Sequence, residues 1–519
     1  MPIMRSLVGL IARRKVREIE EILHNPVEMS EKTLMDIIKR HRDTVFGRRF
    51  GFERISSSEQ YRESVPLMNG EMMQPFFDMV KKDPTGQILT VDSVVWYLQT
   101  SGTTGQPKQL PATKYGIKQL SKGTMLSWMG YLAQQKENLK LLDGKLITFG
   151  ASSIMDYIGD IPVGYATGVY SKFQNPIFQR LMNLPLVDGN DVFNVQDMDL
   201  KMRCYAKLMV ENNVTGLQGI TPLWLALIRR LQNEYGPWLA DEYRGSEIGR
   251  RVRDAMDDTG KLNVAELWPN LRFLLTTGVS TEPYRSWIEN TLPQAQLWEM
   301  YGGSEGYYGG QLIPGNGVQL CPQIVYYEFI PEANADEKNP ETITLSEVKK
   351  KGRYEIVISN SGGYYRYRLG DMVTFSEVDP YTITDIGRKG RITNLCGEKI
   401  SDAHVQNAMD AACKNTGAEV MDYTVIAHTM DGIGHYTIAA MFREDINSID
   451  FVMAFEEAMK ASNEEFRVVR ETGALGATRL LKLKKSAYDN RVSEYHTQAK
   501  PVVLTTDLKI LKMCAEATA

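Results

Sequence analysis

The stretch Thr100-Ser-Gly-Thr-Thr-Gly-Gln-Pro-Lys108 holds two glycines, four hydroxyl side chains and a closing lysine. Glycines let such a loop bend tightly and turn backbone N–H groups toward one point, and Lys108 adds positive charge. The segment therefore reads as a cradle for phosphate oxygens, with a polar surface loop as the plain alternative. It is not a Walker loop, because no Gly-Lys-Ser/Thr closes it and Lys108 stands beyond the last glycine, Gly105. A second segment, Leu297-Trp-Glu-Met-Tyr-Gly-Gly-Ser-Glu-Gly306, puts an aromatic ring, a hydroxyl and a carboxylate on one glycine-rich turn. It also spells Gly302-x-Ser304-x-Gly306, the nucleophile-elbow pattern of serine hydrolases. An elbow requires a helix straight after the serine, and Tyr307-Tyr-Gly-Gly-Gln-Leu-Ile-Pro-Gly-Asn-Gly317 is too glycine-rich for one. A third, Tyr364-Tyr-Arg-Tyr-Arg-Leu-Gly-Asp371, ends an aromatic and basic strand on an aspartate, which a cross-strand ion pair would explain if it stood alone. A fourth, Gly387-Arg-Lys-Gly-Arg391, is followed by Cys396-Gly-Glu-Lys-Ile-Ser401.

Elements of two kinds must position these segments. Up to about residue 90 the pattern is helical, with Glu31–Arg40 a clear amphipathic piece. From about 91 to 330, strand-like runs at Val94–Leu98, Lys145–Phe149, Gly216–Ile220 and Leu271–Thr276 alternate with helical ones such as Trp224–Leu231. That alternation predicts parallel sheets covered by helices on both faces. Near Tyr354–Ser359 and Met372–Phe375 it turns to short strands joined by tight turns. A smaller α+β unit follows: a helix at Ala403–Ala412, a hairpin over Tyr423–Met441 turning at Asp431–Gly434, a helix at Phe451–Ala461 and a strand at Arg479–Leu483. The expected fold is α/β, with a large N-terminal domain (1–385) of helix-covered sheets and a smaller mobile α+β C-terminal domain (386–519). The glycine and charge-rich stretch at about 387–391 would be its hinge.

A chain of 519 residues is too long for one ordinary hydrophobic core, and 43% hydrophobic with 24% charged residues is a globular composition. A formal charge of −4 argues against a nucleic-acid partner. The five cysteines are scattered without a Cys-x-x-Cys pair, which fits a reducing, cytoplasmic setting, and the six histidines show no metal-ligand spacing. The N-terminal run Met1–Arg14 places its basic residues after the apolar ones, unlike a secretory signal, and continues with helical spacing through Ile19 and Ile22. It reads as an amphipathic helix docked on the body, with a membrane-surface helix as the lesser alternative. No apolar run approaches the ~20 residues that span a bilayer.

Taken in order, the Ser/Thr/Gly loop, Tyr-x-x-Ser-Glu, Tyr-Arg-x-Gly-Asp and Gly-Arg with Gly-x-Lys-Ile resemble the adenylate-forming superfamily of acyl-CoA synthetases, adenylation domains and luciferases. Within it the chain is similar to the auxin-responsive Gretchen Hagen family of acyl-acid amido synthetases and their bacterial relatives. The features of that branch are the loop starting near residue 100, Leu110-Pro111 after Lys108, Ser64–Glu71 before the loop, and Gln498-Ala-Lys-Pro501 near the C-terminus. Plant members have Ala-Ser where this chain has Gly302-Gly303. The resemblance implies a ligase that uses ATP and Mg²⁺ to adenylate a small carboxylic acid and then passes the acyl group to the amine of an amino acid. It implies that Ser101, Gly102, Thr103, Thr104 and Lys108 bind the ATP phosphates, and that Thr277, Gly278 and Tyr301 lie along the adenine. Ser304 would contact the α-phosphate region, Glu305 would hold Mg²⁺, Asp371 the ribose with Arg388 nearby, and Lys500 would be the mobile catalytic lysine. Apolar residues between Met155 and Tyr170 are candidates for an acyl pocket. A thioester-forming acyl-CoA ligase is the near rival, and a serine hydrolase through Ser304 the remote one.

Overall fold

The computed structural model describes residues 2–100, 108–173, 186–187, 190–195, 197–278, 281, 285–315, 317–389, 392–484, 503–516 and 518. Five helices open the chain, Pro2–His24, Pro26–His41, Val45–Arg49, Ser58–Ser64 and Gly70–Lys82. The first is the expected amphipathic helix: Val8, Ala12, Ile19 and Ile22 are buried. No helix among the described residues is long and apolar enough to cross a membrane.

The chain forms two compact units, one of Met1–Thr100, Lys108–Gly278 and Leu292–Gly387, the other chiefly Arg388–Ala519. In the first, the strands in chain order are β1 Val94–Thr100, β2 Lys108–Thr113, β3 Lys145–Phe149, β4 Asp156–Ile158, β5 Ile161–Gly164, β6 Leu186–Val187, β7 Asn190–Asp191, β8 Val214–Ile220 and β9 Phe273–Thr277. They continue as β10 Gln296–Gly303, β11 Gly306–Gly310, β12 Val318–Leu320, β13 Val325–Pro331, β14 Ile343–Thr344, β15 Arg353–Asn360, β16 Tyr364–Val378 and β17 Tyr381–Arg388. One sheet has the order β14-β13-β15-β16-β17-β12-β11-β10-β9-β8-β3, another β2-β1-β5-β4. The α/β class holds, and β3, β8, β9 and β10 form the parallel part. Two details differ from expectation. The Val94–Leu98 run lies outside that parallel array, paired antiparallel with β2. From β11 onward the large sheet is antiparallel, and Met372–Phe375 belongs to a single 15-residue strand rather than a short one. Left-handed backbone at Arg366 (φ 45°) and Gly370 (φ 73°) bends that strand, so it coils without ending.

The antiparallel half curls on itself. Four strand steps separate β16 from β10, about 19 Å in a flat sheet, yet the Tyr301 hydroxyl donates to Asp371 Oδ2 at 2.8 Å. Five steps separate β13 from β11, and Tyr327 Oη still donates to the Tyr308 carbonyl at 2.6 Å. Only a barrel-like curl brings these pairs together. Its wall is tied by Arg366, whose guanidinium is buried against the Glu328 carboxylate (2.7 and 3.0 Å) and also reaches the Arg62 and Val65 carbonyls.

In the second unit, β18 Ile392–Thr393 pairs with β19 Ile400–Ser401, and a sheet of order β22-β21-β20-β23 comprises β20 Val420–Met430, β21 Ile433–Phe442, β22 Arg479–Lys482 and β23 Leu504–Thr505. Helices Asp402–Thr416 and Ser448–Ser462 stand at the sequence positions their periodicity gives.

Candidate functional site

The carboxyl ends of β8, β9 and β10 converge where the large sheet changes from parallel to antiparallel, the place where open α/β sheets leave room for a ligand. Thr277 closes β9, its N–H donating to Thr221 Oγ1 at 3.1 Å and its carbonyl accepting from the same hydroxyl at 3.0 Å. Gly278 follows with φ 93°, which turns the chain away from the sheet. Parallel pairing aligns Glu299 with Thr276, so Tyr301 stands just beyond the end of β9.

Tyr301 is buried and begins a chain of polar contacts. Its hydroxyl is fixed on Asp371, its ring meets the Tyr308 ring edge-on at 5.0 Å, and Tyr308 Oη donates to Glu305 Oε2 at 3.3 Å. Asn360 Nδ2 donates to the Glu305 carbonyl at 2.9 Å, and Asn360 Oδ1 accepts from Gly362 N at 2.8 Å, locking two turns against each other. Ser304 and Glu305 occupy the turn of the β10–β11 hairpin, whose strands pair antiparallel. A strand, not a helix, follows Ser304, so the nucleophile-elbow geometry is absent.

Glu305 and Ser304 line one side of a cleft, with Leu98, Ile117, Leu120, Ile324 and Val325 among its apolar walls. Tyr170 also lines it, its hydroxyl 3.4 Å from the Ser304 carbonyl. Of the stretch expected to form an acyl pocket, Tyr170 is therefore at the cleft, while Met155 and Tyr157 are exposed. Among the described residues, no Lys, Arg or His lines the cleft. Burial, and then the charge of Glu305, push the phenols of Tyr170, Tyr308 and Tyr364 far above their usual range. All three are neutral hydrogen-bond donors at any physiological pH.

One helix, Lys114–Gln134, spans this region because it carries Gly116, Gly123 and Gly130 on one face. A Cβ would stand 3.4 Å from Gly362 Cα at the first, 2.3 Å from the Tyr307 ring at the second and 2.4 Å from the Leu312 carbonyl at the third. The glycines let the helix lie directly on the cleft's other walls.

The remaining expected residues fall elsewhere. The Lys108 ammonium lies 2.5 Å from where a Cβ on Gly70 would be, at the start of the helix Gly70–Lys82. A cation beside a helix N-terminus concentrates positive potential there, which an anion would relieve. Ser101, Gly102, Thr103, Thr104 and Lys500 lie outside the described residues, and of Arg388 only the backbone, ending β17, is described. In the second unit, Glu398 of the Gly-x-Lys-Ile turn is fully buried and accepts from Leu395 N (2.9 Å), Cys396 N (2.6 Å) and Tyr436 Oη (2.5 Å). Burial raises its carboxyl. Adjacent Lys399 adopts φ 46° and pairs with Glu465 at 3.5 Å. Sequence reasoning missed Tyr308, Asn360, Tyr364 and Glu398. Only Tyr364 and Glu398 sat inside segments already singled out.

Similarity to known proteins runs along most of the chain. The GH3 family N-terminal domain matches residues 15–254, the GH3 central domain 318–384 and the GH3 C-terminal domain 403–503. A jasmonoyl–L-amino acid synthetase of Nicotiana attenuata is 25% identical over 470 residues, covering 82% of this chain and 80% of its own length. An indole-3-acetic acid-amido synthetase of Arabidopsis thaliana is 25% identical over 513 residues, covering 88% and 84%. The solved AtGH3.15 acyl acid amido synthetase in complex with 2,4-DB superposes with a TM-score of 0.63 at 18% identity, covering 98% of this chain and 96% of that one. A 2-hydroxyisobutyryl-CoA ligase has the same fold, with a TM-score of 0.55 at 13% identity over 95% and 92%. With all three of its domains matched in order along the sequence, the chain belongs to the GH3 family.

Proposed function

We propose that this chain is an ATP-dependent ligase that adenylates a small carboxylic acid, releasing pyrophosphate, and transfers the acyl group to the amine of an amino acid to form an amide. The observation that carries the reading is the run of three GH3 domains along one chain. The relatives that match over most of the chain and of their own lengths are named as amido synthetases, which favours an amide product over a thioester.

In the first step a carboxylate oxygen attacks the α-phosphorus and the bond to pyrophosphate breaks. Both reactants are anions, so the barrier is mainly electrostatic. Ser101, Gly102, Thr103, Thr104 and Lys108 are assigned to the phosphates and Ser304 to the α-phosphate. Thr277, Gly278 and Tyr301 are assigned to the adenine, Asp371 and Arg388 to the ribose. The contact of Tyr301 with Asp371 supports a shared nucleoside site. Glu305 would hold Mg²⁺, which supplies charge neutralisation at the phosphates when bound. Its half-buried carboxylate accepts one long hydrogen bond, from Tyr308, and keeps oxygen lone pairs for a hard cation. The neighbouring cleft is assigned to the acyl group. Apolar walls, without a basic side chain among the described residues, suit a compact, uncharged tail carrying a single carboxylate.

In the second step the amine attacks the acyl carbon and AMP leaves. Residues 387–391 are assigned as the hinge about which residues 386–519 turn between steps, with Lys500 acting in the first. A cytoplasmic location is supported by the need for ATP and free amino acids. Mass spectrometry of reactions containing ATP, Mg²⁺, a panel of aryl and aliphatic acids, and either pooled amino acids or coenzyme A tests the reading. The expected product is an N-acyl amino acid; an efficiently formed thioester with no amide would overturn the acceptor assignment.

A further inference from the structure

The cleft beside Glu305 must receive a carboxylate, and among the described residues its lining holds no cation. The donors of the described lining are neutral groups, and several are engaged. Tyr307 Oη is paired with Ser127 Oγ at 2.9 Å, Asn360 Nδ2 with the Glu305 carbonyl and Tyr170 Oη with the Ser304 carbonyl. Ser304, Ser361 and Gln119 also bring polar side chains to the cleft and are half-buried, whereas Tyr364 is buried. It lines the cleft, is 3% exposed, and its hydroxyl has no hydrogen-bond partner among the described residues. A buried hydroxyl without a partner is destabilising, so its position favours an occupant that accepts its hydrogen bond. Its ring is held between Phe77 (6.3 Å) and Tyr367 (5.2 Å), both edge-on, so the hydroxyl is fixed in place before any ligand arrives. Its backbone pairs with Asn360, whose side chain is bonded to Glu305, which sets Tyr364 at the Glu305 end of the cleft.

We propose that Tyr364 Oη donates a hydrogen bond to the carboxylate of the acyl acid, holding it beside Glu305 for attack on the α-phosphorus. This rests on the assignment of the cleft to the acyl group. The donor is neutral and preorganised. It therefore binds the anion without the competing charge of a lysine, which would lower the nucleophilicity of the attacking oxygen. As the carboxylate loses charge on forming the anhydride, the hydrogen bond weakens, so Tyr364 serves binding of the acid more than the chemical step.

The test is Tyr364→Phe, which removes one oxygen and keeps the ring. Acid-dependent ATP–pyrophosphate exchange is measured with benzoate, indole-3-acetate and hexanoate, varying acid and ATP separately, alongside thermal melting. The expected result is a rise in KM for the acid of about 10- to 100-fold, the usual effect of losing a hydrogen bond to a charged group. KM for ATP and the rate at saturating acid should stay within about threefold, and the melting temperature should not fall. An unchanged KM for the acid, equal rises for acid and ATP, or a lower melting temperature with the acid KM intact would each overturn the role of Tyr364. Wild-type protein that exchanges with none of the acids would overturn the assigned function itself, and this inference with it.

Discussion

Tyr301, Tyr308 and Glu305 form a relay of contacts in which one side chain sets the next, and the carboxylate at its end carries the proposed metal role. Glu305→Gln keeps the shape and the capacity to accept from Tyr308 while removing the charge. Loss of one developed electrostatic contact of about 2–4 kcal/mol corresponds to roughly 30- to 1000-fold in rate. Acid-dependent pyrophosphate exchange should fall by that factor with an unchanged circular dichroism spectrum. Full activity in the variant would remove Glu305 from the metal site. Ser304→Ala is the companion measurement, because the hairpin after Ser304 gives it no elbow. No esterase activity sensitive to that change is expected. Asp371, expected at the end of a strand, stands inside the 15-residue β16, whose arginines are bound elsewhere: Arg366 to Glu328, and Arg368 to Glu355 at 2.6 Å.

The helix Lys114–Gln134 shows how an element, rather than a residue, shapes a site. Glycine in a helix interior costs about 1 kcal/mol relative to alanine, so three at seven-residue spacing need a compensating contact, and each has one. Gly130→Ala would place its Cβ 2.4 Å from the Leu312 carbonyl oxygen, a backbone atom that cannot rotate away. Overpacking of about 1–3 kcal/mol should exceed the gain in helix propensity and lower the urea midpoint. Gly9→Ala, in the helix Pro2–His24, meets only a Leu139 methyl at 3.4 Å, so that change should be neutral or stabilising. Equal effects at the two positions would show that propensity alone governs both. The stripe was present in the sequence but carried no meaning there, because the surface it rests on, Gly362, Tyr307 and Leu312, lies far along the chain.

At the scale of the whole molecule, the proposal requires one site to run two half-reactions, with Lys500 needed in only one. Lys500→Ala should slow adenylate formation strongly while sparing the use of a supplied acyl-adenylate in amide formation. Single-turnover assays of each half-reaction separate these. Equal loss in both would make Lys500 structural and turn attention to a basic residue such as Lys399, which already has an acidic partner in Glu465.

Local sequence was enough to determine the elements and the kind of chemistry. Lys145–Phe149 is a strand because its apolar β-branched and aromatic run suits a buried ladder, and it is observed with those same bounds. Helices at Asp402–Thr416 and Ser448–Ser462 carry their own caps, Ser401 and Asn447. The Tyr-x-x-Ser-Glu and Tyr-Arg-x-Gly-Asp segments announce themselves because phosphate and ribose demand particular groups within a few residues of one another. The curl of the sheet could not be read in this way. It depends on pairing between strands far apart in sequence, and the contact between Tyr301 and Asp371 exists only because four strand steps fold back on themselves. Nor could the neighbourhood of Tyr364 be read, since strict alternation would set it on the face opposite Tyr367. The left-handed backbone at Arg366 breaks that alternation and brings the two rings to 5.2 Å. Side-chain type follows from the sequence, but which atoms face one cleft is decided by the long-range closure of the barrel.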